Sequence, residues 1–122
     1  FGFASSARDL ARIGLLMQAQ GNWQGKKVLP DDRFRVASLK TSQTLKPNYG
    51  YLWWLNHSER PTDAPAETYA AKGLLGRRIV VSPRQGLVVV RLGDEPRSVG
   101  TAAFDREFWQ RLMAAKVNAA KQ

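Results

Sequence analysis

The sequence predicts an α+β fold, an antiparallel sheet flanked by an N-terminal and a C-terminal helix. Four observations carry this. Leu10, Ile13, Leu16 and Met17 recur at the three-and-four spacing of one helix face. Ile79, Val80 and Val81, then Leu87, Val88, Val89 and Val90, are the β-branched and aliphatic runs of buried strands. Only Ser82 to Gly86 separates them, and so short a connection makes neighbouring strands antiparallel. Finally, Phe104, Phe108, Leu112 and Ala115 repeat at helical spacing near the end of the chain, with Trp109 and Met113 alongside.

The elements follow in order. Ser6 can cap the first helix, with Asp9 answering it in a capping box, and Gly21 suits a left-handed C-terminal cap. Trp23 follows in a short extended piece and should tuck against that helix. Asp31 and Asp32 place negative charge where a second helix would begin. That helix should reach Ser38 or Leu39, with Phe34 and Ala37 or Ser38 facing inward. After a polar linker, Thr41 to Pro47, the aromatic-rich segment Asn48 to Leu55 reads as a strand carrying Tyr51, Trp53 and Leu55 on one face. A polar loop, Asn56 to Pro65, leads to three strands at Glu67 to Lys72, Arg77 to Val81 and Leu87 to Leu92. Pro83 and Gly86 supply the fixed and the positive φ of a hairpin loop. Between the first two strands, Gly73 and Gly76 bracket two leucines and allow a bulge or a close backbone approach to a ligand. That segment is the candidate site. The last helix should begin near Thr101 or Ala102 after a loop from Asp94 to Gly100, and Lys116 and Lys121 lie near its C-terminus.

Composition bounds the function. The 122 residues suffice for one domain or less, and 43% hydrophobic residues with four tryptophans indicate a globular class. No apolar run approaches the ~18 residues of a membrane span, and no signal peptide is expected. Without cysteine there is neither a disulfide nor a thiolate metal site. The single histidine, His57, sits between Asn56 and Ser58 in a polar loop and reads as solvated. No metal and no cofactor are expected. The formal net charge of +9 is spread along the chain rather than gathered in a block. Tyr49, Tyr51, Trp53 and Trp54 beside Arg77 and Arg78 offer a non-catalytic alternative, a basic binding or interaction module. Aromatics alternating along a strand, however, read first as core, and nucleic acid is not the expected partner.

Self-contained hydrolytic chemistry is missing. There is no Gly-x-Ser-x-Gly elbow and no Ser-x-x-Lys pair. The nearest spacing, Ser5 to Arg8, fails because arginine stays protonated and cannot act as a base.

Three stretches nonetheless carry a resemblance: Ser5 to Gly14 continuing through Gly21 to Gly25 and Val28 to Pro30; Tyr49 to Trp54; and Ala71 to Gly76 followed by Ile79 to Val81, Pro83 and Leu87 to Leu92. Together and in this order they resemble the C-terminal part of the serine β-lactamase and penicillin-binding-protein superfamily, in its class C-related esterase and 6-aminohexanoate-dimer hydrolase branch. The resemblance implies a β-lactamase/transpeptidase-like fold and places residues 1–122 as the C-terminal part of such a domain. It implies that the catalytic serine, lysine and tyrosine lie upstream, so that this chain has no catalytic residue and is inactive alone. Ala71, Lys72 and Gly73 match the family's Lys-Thr-Gly strand, with alanine in place of the lysine, and Leu75, Gly76 and Arg77 stand where relatives carry Gly-Gly-Gln. By that match Ala71, Lys72, Gly73, Leu74 and Gly76 are expected to bind substrate, a small ester or amide. The expected partner is the N-terminal part of the same protein, or a second copy paired or swapped at the Leu87 to Leu92 edge. The compartment, periplasmic, secreted or cytoplasmic in a bacterium, stays open.

Overall fold

The computed structural model describes residues 4–56, 64–94 and 100–119. Helix α1 spans Ala7–Gln18, followed by the two-residue strands β1 (Asn22–Trp23) and β2 (Lys26–Lys27), helix α2 (Asp32–Ser38), strands β3 (Trp54–Leu55), β4 (Tyr69–Lys72), β5 (Arg78–Ser82) and β6 (Leu87–Arg91), and helix α3 (Gly100–Ala119). The main sheet is antiparallel throughout, in the order β3-β4-β5-β6. Its two faces are covered by different helices. Met17 of α1 packs with Trp53, Leu55, Tyr69 and Val81 on one face. Trp109 of α3 packs on Ala70 and Val80 on the other, with Phe108, Leu112 and Met113 around it. The arrangement is the expected α+β one, consistent with part of a β-lactamase-like fold.

The α1 start is as the sequence reads: the Ser6 hydroxyl accepts the Asp9 N–H at 3.1 Å. That hydroxyl and Arg12 hold the Asp9 carboxyl below its ordinary range, the Ser6 hydrogen bond contributing most. The C-terminal end differs from expectation. Gly21 donates to Leu16 O and Gln20 to Met17 O, so the left-handed cap residue of this Schellman motif is Gln20 (φ 55), with Gly21 (φ 82) following it. The buried stripe is also rotated. Gly14 and Met17 are buried whereas Ile13 is exposed. A β-carbon on Gly14 would lie within 3.1 Å of Ile79 Cγ2 and closer still to Val88, so the mid-helix glycine lets α1 approach the sheet.

Three further expectations are corrected. Asp31 caps α2, accepting from the Arg33 and Phe34 N–H groups, and Ser38 is buried, but Phe34 faces outward at 64% exposure and stacks on Tyr51 at 5.9 Å. The segment from Asn48 is not one strand. Leu52 takes φ 66 and turns the chain, leaving Tyr51 exposed while Trp53 and Leu55 are buried. Gly50 makes that turn possible, because a β-carbon there would collide with Ser38 O. In α3, Trp109 is the buried residue, whereas Ala115 is exposed. Trp23 is half-buried in β1, which lies against α1. His57 and Lys121 lie outside the described residues.

Candidate functional site

Strand β4 is paired along its whole length on one side and along half of it on the other. Its inner edge meets β5, from Tyr69 opposite Val81 to Lys72 opposite Arg78. Its outer edge meets only β3, Trp54 opposite Ala70 and Leu55 opposite Tyr69. The turn at Leu52 is what ends that pairing, since the residue that would face Lys72 has left the sheet. Strand alternation assigns the remaining backbone groups. Gly73 donates its N–H inward, to Arg77 O at 2.8 Å. The N–H of Lys72 therefore points to the open edge, and Leu74, as first residue of the next turn, has no acceptor within it.

That turn is a single 3₁₀ turn, Leu74–Gly76, in which Leu75 (φ 60) and Gly76 (φ 73) are left-handed. Leucine in this region is strained, and two arginines hold the conformation. Arg91 Nη1 donates to Leu75 O at 3.1 Å, and Arg78 Nε donates to Gly76 O at 2.9 Å. Arg78 is in turn fixed by an ion pair with Asp105 of α3, and Arg91 lies over the Phe104 ring at 5.1 Å. Of the two glycines only Gly76 uses its conformational freedom. Gly73 is extended (φ −119, ψ 178), and a β-carbon on it would meet Arg77 O at 3.7 Å and Arg77 Cβ at 3.8 Å, ordinary contacts.

At this end of the sheet lies a cleft of about 780 Å³. Ala71, Lys72, Gly73 and Leu74 line it, faced by Ser5 and Leu10 from the N-terminal end of α1. Gly76 does not line it and instead shapes the turn. Ala71 points toward the α1 core, whereas Lys72 reaches to the other face, its ammonium 5.5 Å from the Trp54 ring centre. Desolvation pulls the Lys72 pKa below the usual lysine value, Asp105 opposing and Arg78 reinforcing that shift. A second hollow, about 640 Å³, lies on the α1 face between α1, α2 and the Tyr51–Trp53 turn. The four aromatics of the basic-module alternative do not share a face: Trp53 is buried edge-on against Tyr69 at 5.2 Å, Trp54 meets Tyr49 at 4.9 Å, and Tyr51 stacks on Phe34. Among the described residues no group of three or more His, Cys, Asp or Glu could hold a metal ion.

No family model matches the chain. In a structural comparison it superimposes on a Bacillus anthracis protein described as a 6-aminohexanoate-dimer hydrolase, with a TM-score of 0.56 and 19% identity, covering 93% of this chain and 28% of that one. The two share a fold. In sequence the chain is 28% identical over 120 residues to an uncharacterized protein of Alkalihalophilus pseudofirmus, covering 88% of this chain and 36% of the relative. It therefore spans about a third of the length of that curated relative.

Sequence reasoning missed Arg78, Arg91 and Asp105 as the residues that set the turn. The available signal was Arg91 itself, a charged side chain after four aliphatic residues in a half-buried strand, where a partner is required.

Proposed function

We propose that this chain forms the substrate-side wall of a serine hydrolase whose nucleophile lies in a portion of a longer protein that these 122 residues do not span. The observation that carries this is the half-paired strand β4, whose open edge at Lys72 to Leu74 borders the cleft. In the proposed reaction a serine hydroxyl attacks the carbonyl of an ester or amide. The new C–O bond makes an acyl-enzyme, the leaving group departs with the serine's proton, and water hydrolyses the acyl-enzyme. The carbonyl oxygen gains negative charge in both steps, and a backbone N–H aimed at it from a rigid strand stabilises that charge. The donors suited to this are the N–H groups of Lys72 and Leu74, because that of Gly73 is occupied by Arg77 O. Arg78 and Arg91 contribute by fixing the turn that follows.

The rest of the longer protein would also complete the sheet. Among the described residues β6 is paired only with β5, and an edge of aliphatic residues is a template for another strand. A second copy of this chain is the alternative occupant of that edge. The test is direct. The 122-residue chain should show no turnover of a p-nitrophenyl ester above background. The longer protein should hydrolyse it, with an acyl adduct found by mass spectrometry on a serine outside residues 1–122. Turnover by the 122-residue chain, or an adduct within it, would refute the proposal.

A further inference from the structure

Strands β5 and β6 break a pairing rule on the face that packs on α3. Arg78 stands directly opposite Arg91 in their register. Directly opposed residues of an antiparallel pair share a face, and like charges there repel. Helix α3 answers both arginines with two consecutive residues. Asp105 forms an ion pair with Arg78, and the Phe104 ring receives the Arg91 guanidinium 5.1 Å from its centre. The ion pair is shielded from water, its side chains 10% and 22% exposed. Phe104 stacks on Phe108, whose ring meets that of the buried Trp109 edge-on. A carboxylate and a ring on one packed helix thus hold two cations that would otherwise push apart.

Both arginines direct hydrogen bonds to one short segment. The turn Leu74–Gly76 has three carbonyls, and each is taken. Leu74 O accepts the Arg77 N–H at 3.2 Å, Leu75 O accepts from Arg91 Nη1 at 3.1 Å, and Gly76 O accepts from Arg78 Nε at 2.9 Å. Two of the three therefore depend on side chains that α3 fixes. Leu75 needs that hold, because a left-handed leucine (φ 60) is disfavoured by about the free energy of one hydrogen bond. Neither Phe104 nor Asp105 lines the cleft. We infer that Phe104 and Asp105 are positioning residues of the substrate site: they fix Arg78 and Arg91, and through them the turn that presents the Leu74 N–H. This rests on the reading of the cleft as a substrate site, and the hold itself is tested without turnover.

The experiment has two arms. The first measures hydrogen exchange of the Arg77 amide, which closes the turn, in the ¹⁵N-labelled 122-residue chain. Asp105→Asn and Phe104→Leu should each speed it about tenfold, the scale of one lost hydrogen bond. Asp105→Glu, which keeps the carboxylate, should bring it back toward the original rate. Leu112→Ala weakens the packing of α3 elsewhere, and Glu107→Gln removes an exposed charge from the same helix; both should leave Arg77 exchange unchanged. The dispersion of each spectrum reports whether the variant is folded. The second arm follows p-nitrophenyl ester hydrolysis by the longer protein. Asp105→Asn and Phe104→Leu should lower kcat about tenfold with KM unchanged, the pattern of a donor engaged only in the transition state. Leu112→Ala, though less stable, should keep full kcat. Unchanged Arg77 exchange in Asp105→Asn, equal acceleration in Leu112→Ala, or faster exchange with full kcat would overturn the assignment. Absence of hydrolysis in the longer protein, with the exchange effect intact, would contradict the proposed reaction and leave the hold of α3 on the turn standing.

Discussion

Two hollows meet at strand β4 and share Ala71 and Ile79 in their walls, yet they are made of opposite materials. The cleft at Lys72 to Leu74 is cationic, and hydrogen bonds from Arg78 and Arg91 hold its rim. The groove between α1 and α2 is apolar, and its rim is large exposed side chains, Phe34 at 64% and Leu52 at 77%. The difference separates their uses. Polar, fixed backbone at a strand edge suits a small ligand, whereas exposed aromatic and aliphatic surface has favourable free energy to release only when another apolar surface covers it. In the proposed longer protein the cleft would stay open to substrate, and the groove would be buried against the rest of the fold.

The sharpest way to break that contrast is to charge the groove. Phe34→Asp or Leu52→Asp should change the stability of the 122-residue chain by less than about 0.5 kcal/mol, because both positions are exposed there. In the longer protein each should cost about 3 kcal/mol or more, because an unpaired carboxylate would then be buried. Urea denaturation of both forms measures this. Equal small effects in the two would mean that nothing covers the groove.

High pH should sharpen the contrast at a slightly smaller scale. Burial pushes the Tyr69 hydroxyl up to about 12, and Tyr69 packs against Trp53 on the floor of the groove. The unfolded chain loses this proton near pH 10 and the folded chain near pH 12. Between those values the folded state binds more protons, so stability is full below pH 10 and falls as pH rises toward 12. The loss should be about 2–3 kcal/mol and should disappear in Tyr69→Phe. An identical alkaline loss in Tyr69→Phe would exclude Tyr69 as its source.

How much of this was legible in the chain differs between the two regions for a physical reason. The strand runs at Ile79 to Val81 and Leu87 to Val90 and the Pro83 to Gly86 turn are local signals, and the structure has them within a residue. The turn after β4 was legible because Gly73 and Gly76 punctuate it, and Gly76 does take a positive φ. The groove was not identifiable, because periodicity names an apolar face without saying whether that face is covered. Phe34 and Ile13 fitted inward patterns and are exposed, while Gly14 carries the contact with Val88 and Ile79 that the pattern gave to its neighbours. The bend at Leu52 was equally hidden. A leucine with φ 66 has no sequence signature, and the close approach it requires is permitted two residues earlier, at Gly50.

The turn at the cleft rim allows a finer test. Leu75→Gly removes the strain of a left-handed leucine and should stabilise the chain by about 0.5–1 kcal/mol. Arg91→Ala should destabilise it by about 1 kcal/mol through the lost bond to Leu75 O. A stabilising Arg91→Ala would mean that the turn needs no such support.

The most direct measurement concerns Gly73. The fold leaves room for a side chain there, since the backbone is extended and the nearest atoms are at 3.7 Å and 3.8 Å. Gly73→Val in the longer protein should therefore fold with unchanged stability. Its kcat for a p-nitrophenyl ester should nonetheless drop by about 10²-fold, the scale of losing one oxyanion donor, because the added carbons would crowd the acyl group against the open edge. A folded Gly73→Val enzyme with full kcat would contradict the placement of substrate beside β4.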